Sequence, residues 1–201
     1  MKTPRATASK KRPAVFLDRD GTLNFDPGYL NKAEDFRFLP KVKTALKLLA
    51  NHGLELFVIS NQSGIGRGLI TRDALKKIHR KMTLELKRQG VKLKGIFVCP
   101  HSPQDQCSCR KPSPKLIFRA ARRHRINLWN SYIVGDKWTD VETGLRAGLQ
   151  TVLVAGSTAE SGGVIRPHHV AKDLFGAARW ILRRHKILES GVGPKAGKGR
   201  S

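Results

Sequence analysis

Acidic residues are scarce in this chain: 15 Asp and Glu stand against 39 Lys and Arg, a formal net charge of +24. The imbalance suits an anionic partner, whether phosphate ester, nucleic acid or lipid surface, or more simply solvated basic faces and tails. The tails explain only part of it. Lys2, Arg5, Lys10, Lys11, Arg12, Lys195, Lys198 and Arg200 supply eight of the 24, so most of the excess belongs to the body. Long apolar runs are also missing. Stretches such as Ala14–Leu17 and Leu56–Ile59 fall far short of the roughly 20 residues a spanning helix needs. The basic Met1–Arg12 segment lacks the apolar stretch of a secretory signal, so the expected location is cytoplasmic, with no membrane association. Cysteine is limited to Cys99, Cys107 and Cys109, too close together and odd in number for a disulfide framework.

What is present alternates between apolar runs and helical periods. Strands are expected at Ala14–Leu17, Leu54–Ile59, Gly95–Cys99, Tyr132–Val134 and Thr151–Val154. Helices are expected over Val42–Ala50, Ala74–Gln89 with Thr71 as N-cap, Lys115–Arg125, Val141–Ala147 and Asp173–His185. Uniformly apolar strands separated by helices predict an α/β, three-layer, doubly wound parallel sheet of Rossmann-like type. One domain is expected over residues 13–189, with basic, low-complexity tails at 1–12 and 190–201.

Ligands of such folds bind beyond the carboxyl ends of the strands. Four polar clusters stand there: Asp18-Arg19-Asp20, Ser60-Asn61-Gln62-Ser63, Cys99-Pro100-His101 and Gly135-Asp136-Lys137. Asp18 and Asp20, leaving a strand on the same side, can hold a divalent cation through oxygen. One carboxylate can also attack phosphorus, and the other can serve as acid and then base. Asp136 can complete a magnesium site, and Asp140 can orient a ligand or cap the following helix. Ser60, Asn61, Arg110 and Lys111 offer donors and positive charge for phosphoryl oxygens. Cys99, His101, Cys107 and Cys109 are four ligand types that zinc favours, in one short segment; a loop with free thiols or a redox pair is the alternative. With no coordination position left open, such a zinc would organise the loop.

These motifs resemble the haloacid-dehalogenase (HAD) phosphatase superfamily across almost all of residues 14–156. Asp18-Arg19-Asp20-Gly21-Thr22 is similar to its first motif, Ser60 to its second, Lys111 to its third, and Gly135-Asp136 through Asp140 to its fourth. The resemblance implies Asp18 as nucleophile and Asp20 as acid and base. It further implies magnesium on the Asp18 side chain, the Asp20 carbonyl and Asp136. Within the superfamily, Asp26-Pro27-Gly28-Tyr29, Ser60 through Gly68 and the cysteine loop resemble the heptose bisphosphate phosphatases of lipopolysaccharide synthesis, which lack a large cap domain. That likeness implies a phosphorylated sugar as substrate, a monomer, and substrate contacts from Arg19, Asp26, Pro27, Gly28, Tyr29, Asn61, Gln62, Ser63, Arg110 and Lys137. Histidinol-phosphate phosphatases, which also carry a zinc loop, and DNA 3′-phosphatases stand as alternatives. A basic zinc-containing module binding nucleic acid is the non-enzymatic one.

Overall fold

The computed structural model describes residues 11–154 and 165–189. Of the expected tails at 1–12 and 190–201, residues 1–10 and 190–201 lie outside the described residues. Arg12, assigned to a tail by composition, instead bridges Ile126 and pairs with Glu55 at 2.8 Å.

Six parallel strands form one sheet in the order β3-β2-β1-β4-β5-β6. They are β1 (Ala14–Leu17), β2 (Glu55–Asn61), β3 (Leu93–Cys99), β4 (Tyr132–Gly135), β5 (Gln150–Val154) and β6 (His169–Ala171). The helices are α1 (Val42–Asn51), the single turn α2 (Ser63–Gly66), α3 (Arg72–Arg88), α4 (Lys115–His124), α5 (Trp138–Arg146) and α6 (Leu174–Glu189). Every β1 side chain is buried, so the run reads apolar throughout, as a strand covered on both faces must. Its alternation divides the core. Val15 and Leu17 join α1, α3 and α6 on one face, while Ala14 and Phe16 join α4 on the other. Thr71 caps α3 by accepting the Ala74 N–H at 3.0 Å, and the helix buries Leu75, Ile78, Met82 and Leu86 at helical spacing.

Five of the six strands correspond to expected ones. The sixth, β6, was not expected, because only three residues pair and Val170 faces solvent, so no alternating pattern announces it. It extends the sheet through its register with β5, and nearby the His168 Nδ1 accepts the Thr151 N–H at 3.1 Å. The short α2 also carries too little sequence to show a period. Helix α5 starts at Trp138, three residues ahead of the expected start, which brings Asp140 inside its first turn. Among the described residues no helix is long and apolar enough to cross a membrane.

β1 and β4 are neighbours although far apart in sequence, so crossovers leave the β1–β4 seam in opposite directions. A crevice opens at the carboxyl end of such a seam. The Asp18 N–H donates to the Val134 carbonyl at 2.9 Å and closes it. Helix α5 lies tight against β4 and β5 to present its first turn there. A Cβ on Gly144 would sit 2.2 Å from Ile133 Cγ2 and 2.6 Å from Thr151 Cγ2. Gly144→Ala is therefore expected to cost about 2 kcal/mol through overpacking and to lower the melting temperature by about 5 °C, read by calorimetry. An unchanged transition would refute this packing.

Candidate active site

The charged centre of the crevice is buried. Lys111 is 5 % exposed, and its Nζ donates to Asp18 Oδ1 and to Asp140 Oδ1, each at 2.5 Å, and to the Ile59 carbonyl at 3.1 Å. The lysine arrives from a loop, so its position needs a tether. Asn61, at the end of β2, supplies one: its Oδ1 accepts the Lys111 N–H at 3.0 Å and its Nδ2 donates to the Lys111 carbonyl at 3.3 Å. Asp140 also accepts the Lys137 N–H at 3.2 Å, so it caps α5, one of the two roles weighed from sequence, and in addition holds the lysine, a contact only the fold reveals.

Asp136 follows β4 and receives the Thr22 hydroxyl at 3.2 Å. Gly21 makes this approach possible. Its φ is +80°, and a Cβ there would lie 2.3 Å from Asp136 Oδ2. Oxygens of Asp18, Asp136 and Asp140 lie within 4.8 Å of one another. One ammonium cannot neutralise three carboxylates. Burial pushes Asp18 up to about 6 despite Lys111, and burial with the neighbouring Asp18 charge pushes Asp136 up to about 6. Burial also works against the Lys111 ammonium, but Asp140 and Asp18 outweigh it and hold its pKa above the ordinary lysine value. The cluster is short of positive charge, and a hard divalent cation fits it.

Asp20 is held differently. Arg19 grips it with Nε at 3.0 Å and Nη2 at 2.7 Å, Asn24 donates at 2.9 Å and Gln62 at 2.7 Å. Burial works against this carboxylate, but the Arg19 charge and these hydrogen bonds outweigh it and keep its pKa below the usual value. Arg19 is 1 % exposed and reaches Gln62 Oε1 at 3.0 Å and His79 Nε2 at 3.2 Å. It is thus turned onto Asp20 and committed there, although its side chain lines the cavity. Gln62 continues to Ser60 Oγ at 2.9 Å.

A cavity of about 520 Å³ opens above these groups. Asp18, Asp20, Asp26, Gly28, Tyr29, Ser60, Asn61, Gln62, Ser63, Arg110, Lys111 and Lys137 all line it, whereas the exposed Pro27 does not. Lys137 Nζ lies 3.3 Å from Asp26, and Arg67 donates to the Tyr29 hydroxyl at 3.0 Å, fixing the outer wall. The sequence reading missed Asn24 and His79. His79 lies on α3, far along the chain from Arg19 with no local motif, and only the fold brings the two together. Asn24 stands beside the first motif, and its polarity amid apolar neighbours was the available signal.

Beside the cavity Cys99 Sγ lies 3.4 Å from Cys107 Sγ and 3.6 Å from His101 Nδ1. Cys109 Sγ lies 3.7 Å from Cys107 and 3.4 Å from His101 Nδ1. All three thiols are free of disulfide. Arg110 leaves this cluster directly and donates to the His101 carbonyl at 3.3 Å.

A parallel sheet with paired aspartates after β1, a lysine held between carboxylates and acids after β4 defines a HAD-like hydrolase, and the HAD-hydrolase-like family model matches residues 108–177. A D-glycero-beta-D-manno-heptose-1,7-bisphosphate 7-phosphatase of Helicobacter pylori is 42 % identical over 142 residues, spanning 70 % of this chain and 82 % of the relative. The Escherichia coli K12 protein of the same name is 36 % identical, over 87 % of this chain and 90 % of the relative. The D,D-heptose 1,7-bisphosphate phosphatase from B. bronchiseptica, solved with magnesium and phosphate, superposes with a TM-score of 0.80 at 32 % identity, covering 86 % of this chain and 99 % of that one. The chain belongs to this phosphatase family within the HAD-like hydrolases.

Lys111→Met removes the cation that stands between Asp18 and Asp140. In chelator at pH 7.5 the variant is expected to lose about 3 kcal/mol in urea unfolding. Both carboxyls then titrate further above their unfolded value of 3.8, so their folded forms favour bound protons. Stability is kept at low pH and lost as pH rises through the folded pKa, so the deficit should shrink toward pH 5. Equal deficits at both pH values would contradict the assignment.

Proposed function

We infer that this chain is a magnesium-dependent phosphatase that removes the 7-phosphate of D-glycero-beta-D-manno-heptose 1,7-bisphosphate through an aspartyl-phosphate on Asp18. The observation that carries the reading is the Asp18–Lys111–Asp140 cluster at the floor of a polar cavity. Lys111 draws off the Asp18 charge through one oxygen and leaves the other for attack on phosphorus. As the Asp18–phosphorus bond forms, the bond from phosphorus to the sugar O7 breaks, and the departing oxygen takes a proton from Asp20. Water then attacks the phosphoaspartate, Asp20 accepts its proton, and Asp18 is restored. Asp20 as held here is the ionised form, the one that accepts a proton; it must slip the Arg19 fork to donate one. The carboxylates of Asp18 and Asp136 and the Asp20 carbonyl would hold magnesium, which when bound would supply positive charge to the transferring phosphoryl group. Ser60, Asn61 and Lys111 line the part of the cavity where its oxygens would lie. Arg110 and Lys137 offer positive charge to the rest of a bisphosphate, with Asp26, Gly28, Tyr29, Gln62 and Ser63 shaping the wall.

Cys99, His101, Cys107 and Cys109 hold zinc in this reading. A tetrahedron with metal–sulfur bonds of about 2.3 Å has edges of roughly 3.8 Å between sulfurs and slightly less to nitrogen. The observed spacings of 3.4 to 3.7 Å support that geometry, whereas a disulfide requires about 2.05 Å. A zinc held there would tie together the loop that delivers Arg110 and Lys111.

Purified protein with magnesium should release phosphate from the heptose bisphosphate in preference to histidinol phosphate and 3′-phosphorylated DNA. Asp18→Asn should lower turnover roughly a thousandfold or more. Release from histidinol phosphate alone would overturn the substrate, and an active Asp18→Asn the mechanism. Metal analysis should find one zinc per chain, with Cys107→Ser reducing both zinc content and thermal stability; zinc-free protein of full stability would remove the structural role.

A further inference from the structure

The phosphatase reading leaves most of the positive charge without a task. Part of it is arranged along one edge of the sheet. Residues 106–135 contain no Asp or Glu but include Arg110, Lys111, Lys115, Arg119, Arg122, Arg123 and Arg125. Lys111 and Arg110 serve the active site; those on α4 do not reach it. Helix α4 buries Leu116, Ile117, Ala120 and Ala121, which turns Arg119 and Arg123 to solvent one turn apart.

β3 is an edge strand, with β2 on one side and no strand on the other among the described residues. A groove of about 340 Å³ runs along Lys94 through Val98 of that edge and is walled by Arg119, Arg123 and His124. It shares no lining residue with the catalytic cavity. His124 is fixed by its ring contacts with Phe57 and Phe97, centroids at 5.0 and 6.4 Å, so the wall is built into the core. Glu55, on the neighbouring β2, is already shared by Arg12 at 2.8 Å and Lys94 at 3.1 Å. No ion pair of Arg119 or Arg123 occurs among the described residues.

We propose that this edge docks an extended, acidic segment of a partner protein, which adds to β3 as a further strand. Two independent features agree on that occupant. An open strand edge offers main-chain donors and acceptors at the spacing of another peptide. Arg119 and Arg123, at i and i+4, place their Cβ atoms about 6 Å apart, close to the roughly 6.8 Å between alternate residues of an extended chain. An acid at every second position would therefore meet both guanidinium groups while its backbone pairs with β3. A second copy of this chain is a poor occupant, because it would bring the same cations to face these.

The test uses the full chain and a fluorescein-labelled ten-residue peptide of alternating Glu and Val, followed by anisotropy. A Lys-Val peptide and a ten-nucleotide oligothymidylate serve as comparators. The expected result is saturable binding of the Glu-Val peptide alone, weakened at least tenfold in Arg119→Glu/Arg123→Glu. That double variant should keep its thermal transition and phosphate release, since neither arginine touches the active site. Hydrogen exchange at the amides of Lys94 through Val98 should slow when the peptide is added. Absence of saturable binding, binding of oligothymidylate as tight as the peptide, or binding without protection of those amides would each overturn the proposal.

Discussion

The rest of the site depends on a single buried ammonium. Lys111 stands between Asp18 and Asp140 where water cannot solvate any of the three. Two carboxylates at that depth, without a cation between them, would hold protons. The lysine keeps them in play, and its own removal would strand both. Because the cost of misplacing it is high, the fold secures it several times over. Asn61 clasps its backbone, the Ile59 carbonyl takes its third proton direction, and the cysteine–histidine cluster fixes the loop just before it.

Two kinds of electrostatic environment sit side by side in this crevice. Burial raises Asp18 and Asp136 to about 6, against the pull of Lys111 on the first and Lys137 on the second, so they favour a further cation. Asp20 is saturated with donors and falls below the ordinary carboxylate range. Neighbouring carboxyls in one crevice are thereby pushed in opposite directions, two toward the protonated form and one toward the ionised form. Arg19 enforces the difference. It sits between the two aspartates in sequence, yet His79 and Gln62 help hold it against Asp20. A residue adjacent to Asp18 thus serves Asp20, and its burial leaves the more exposed positive charge of the cavity to Arg110 and Lys137.

Much of the active site was legible before any coordinates, because its parts are local. Asp18, Asp20 and Gly21 occupy one strand end, Ser60 through Ser63 another, and the four zinc-type ligands one short loop. Strand ends in a parallel sheet converge on one rim, so naming the clusters was nearly enough to assemble them. Apolar runs likewise located β1 through β5, since strands buried on both faces admit few polar residues. β6 escaped because an edge strand of three residues with an exposed Val170 carries no such mark.

By itself the sequence determined the chemistry: which carboxylates follow which strands, where thiols and imidazole gather, and that an Arg-Lys pair comes next. The tertiary structure alone decided how those groups divide their charge. That Asp140 caps its helix and also grips Lys111, that Arg19 turns to Asp20, and that His79 supports it all depend on contacts between segments far apart in the chain. It also decided that Arg119 and Arg123 line an open strand edge while Lys111 is drawn inside. A sequence states the sign of each charge, but burial and neighbours set its strength, and those exist only once the chain has folded.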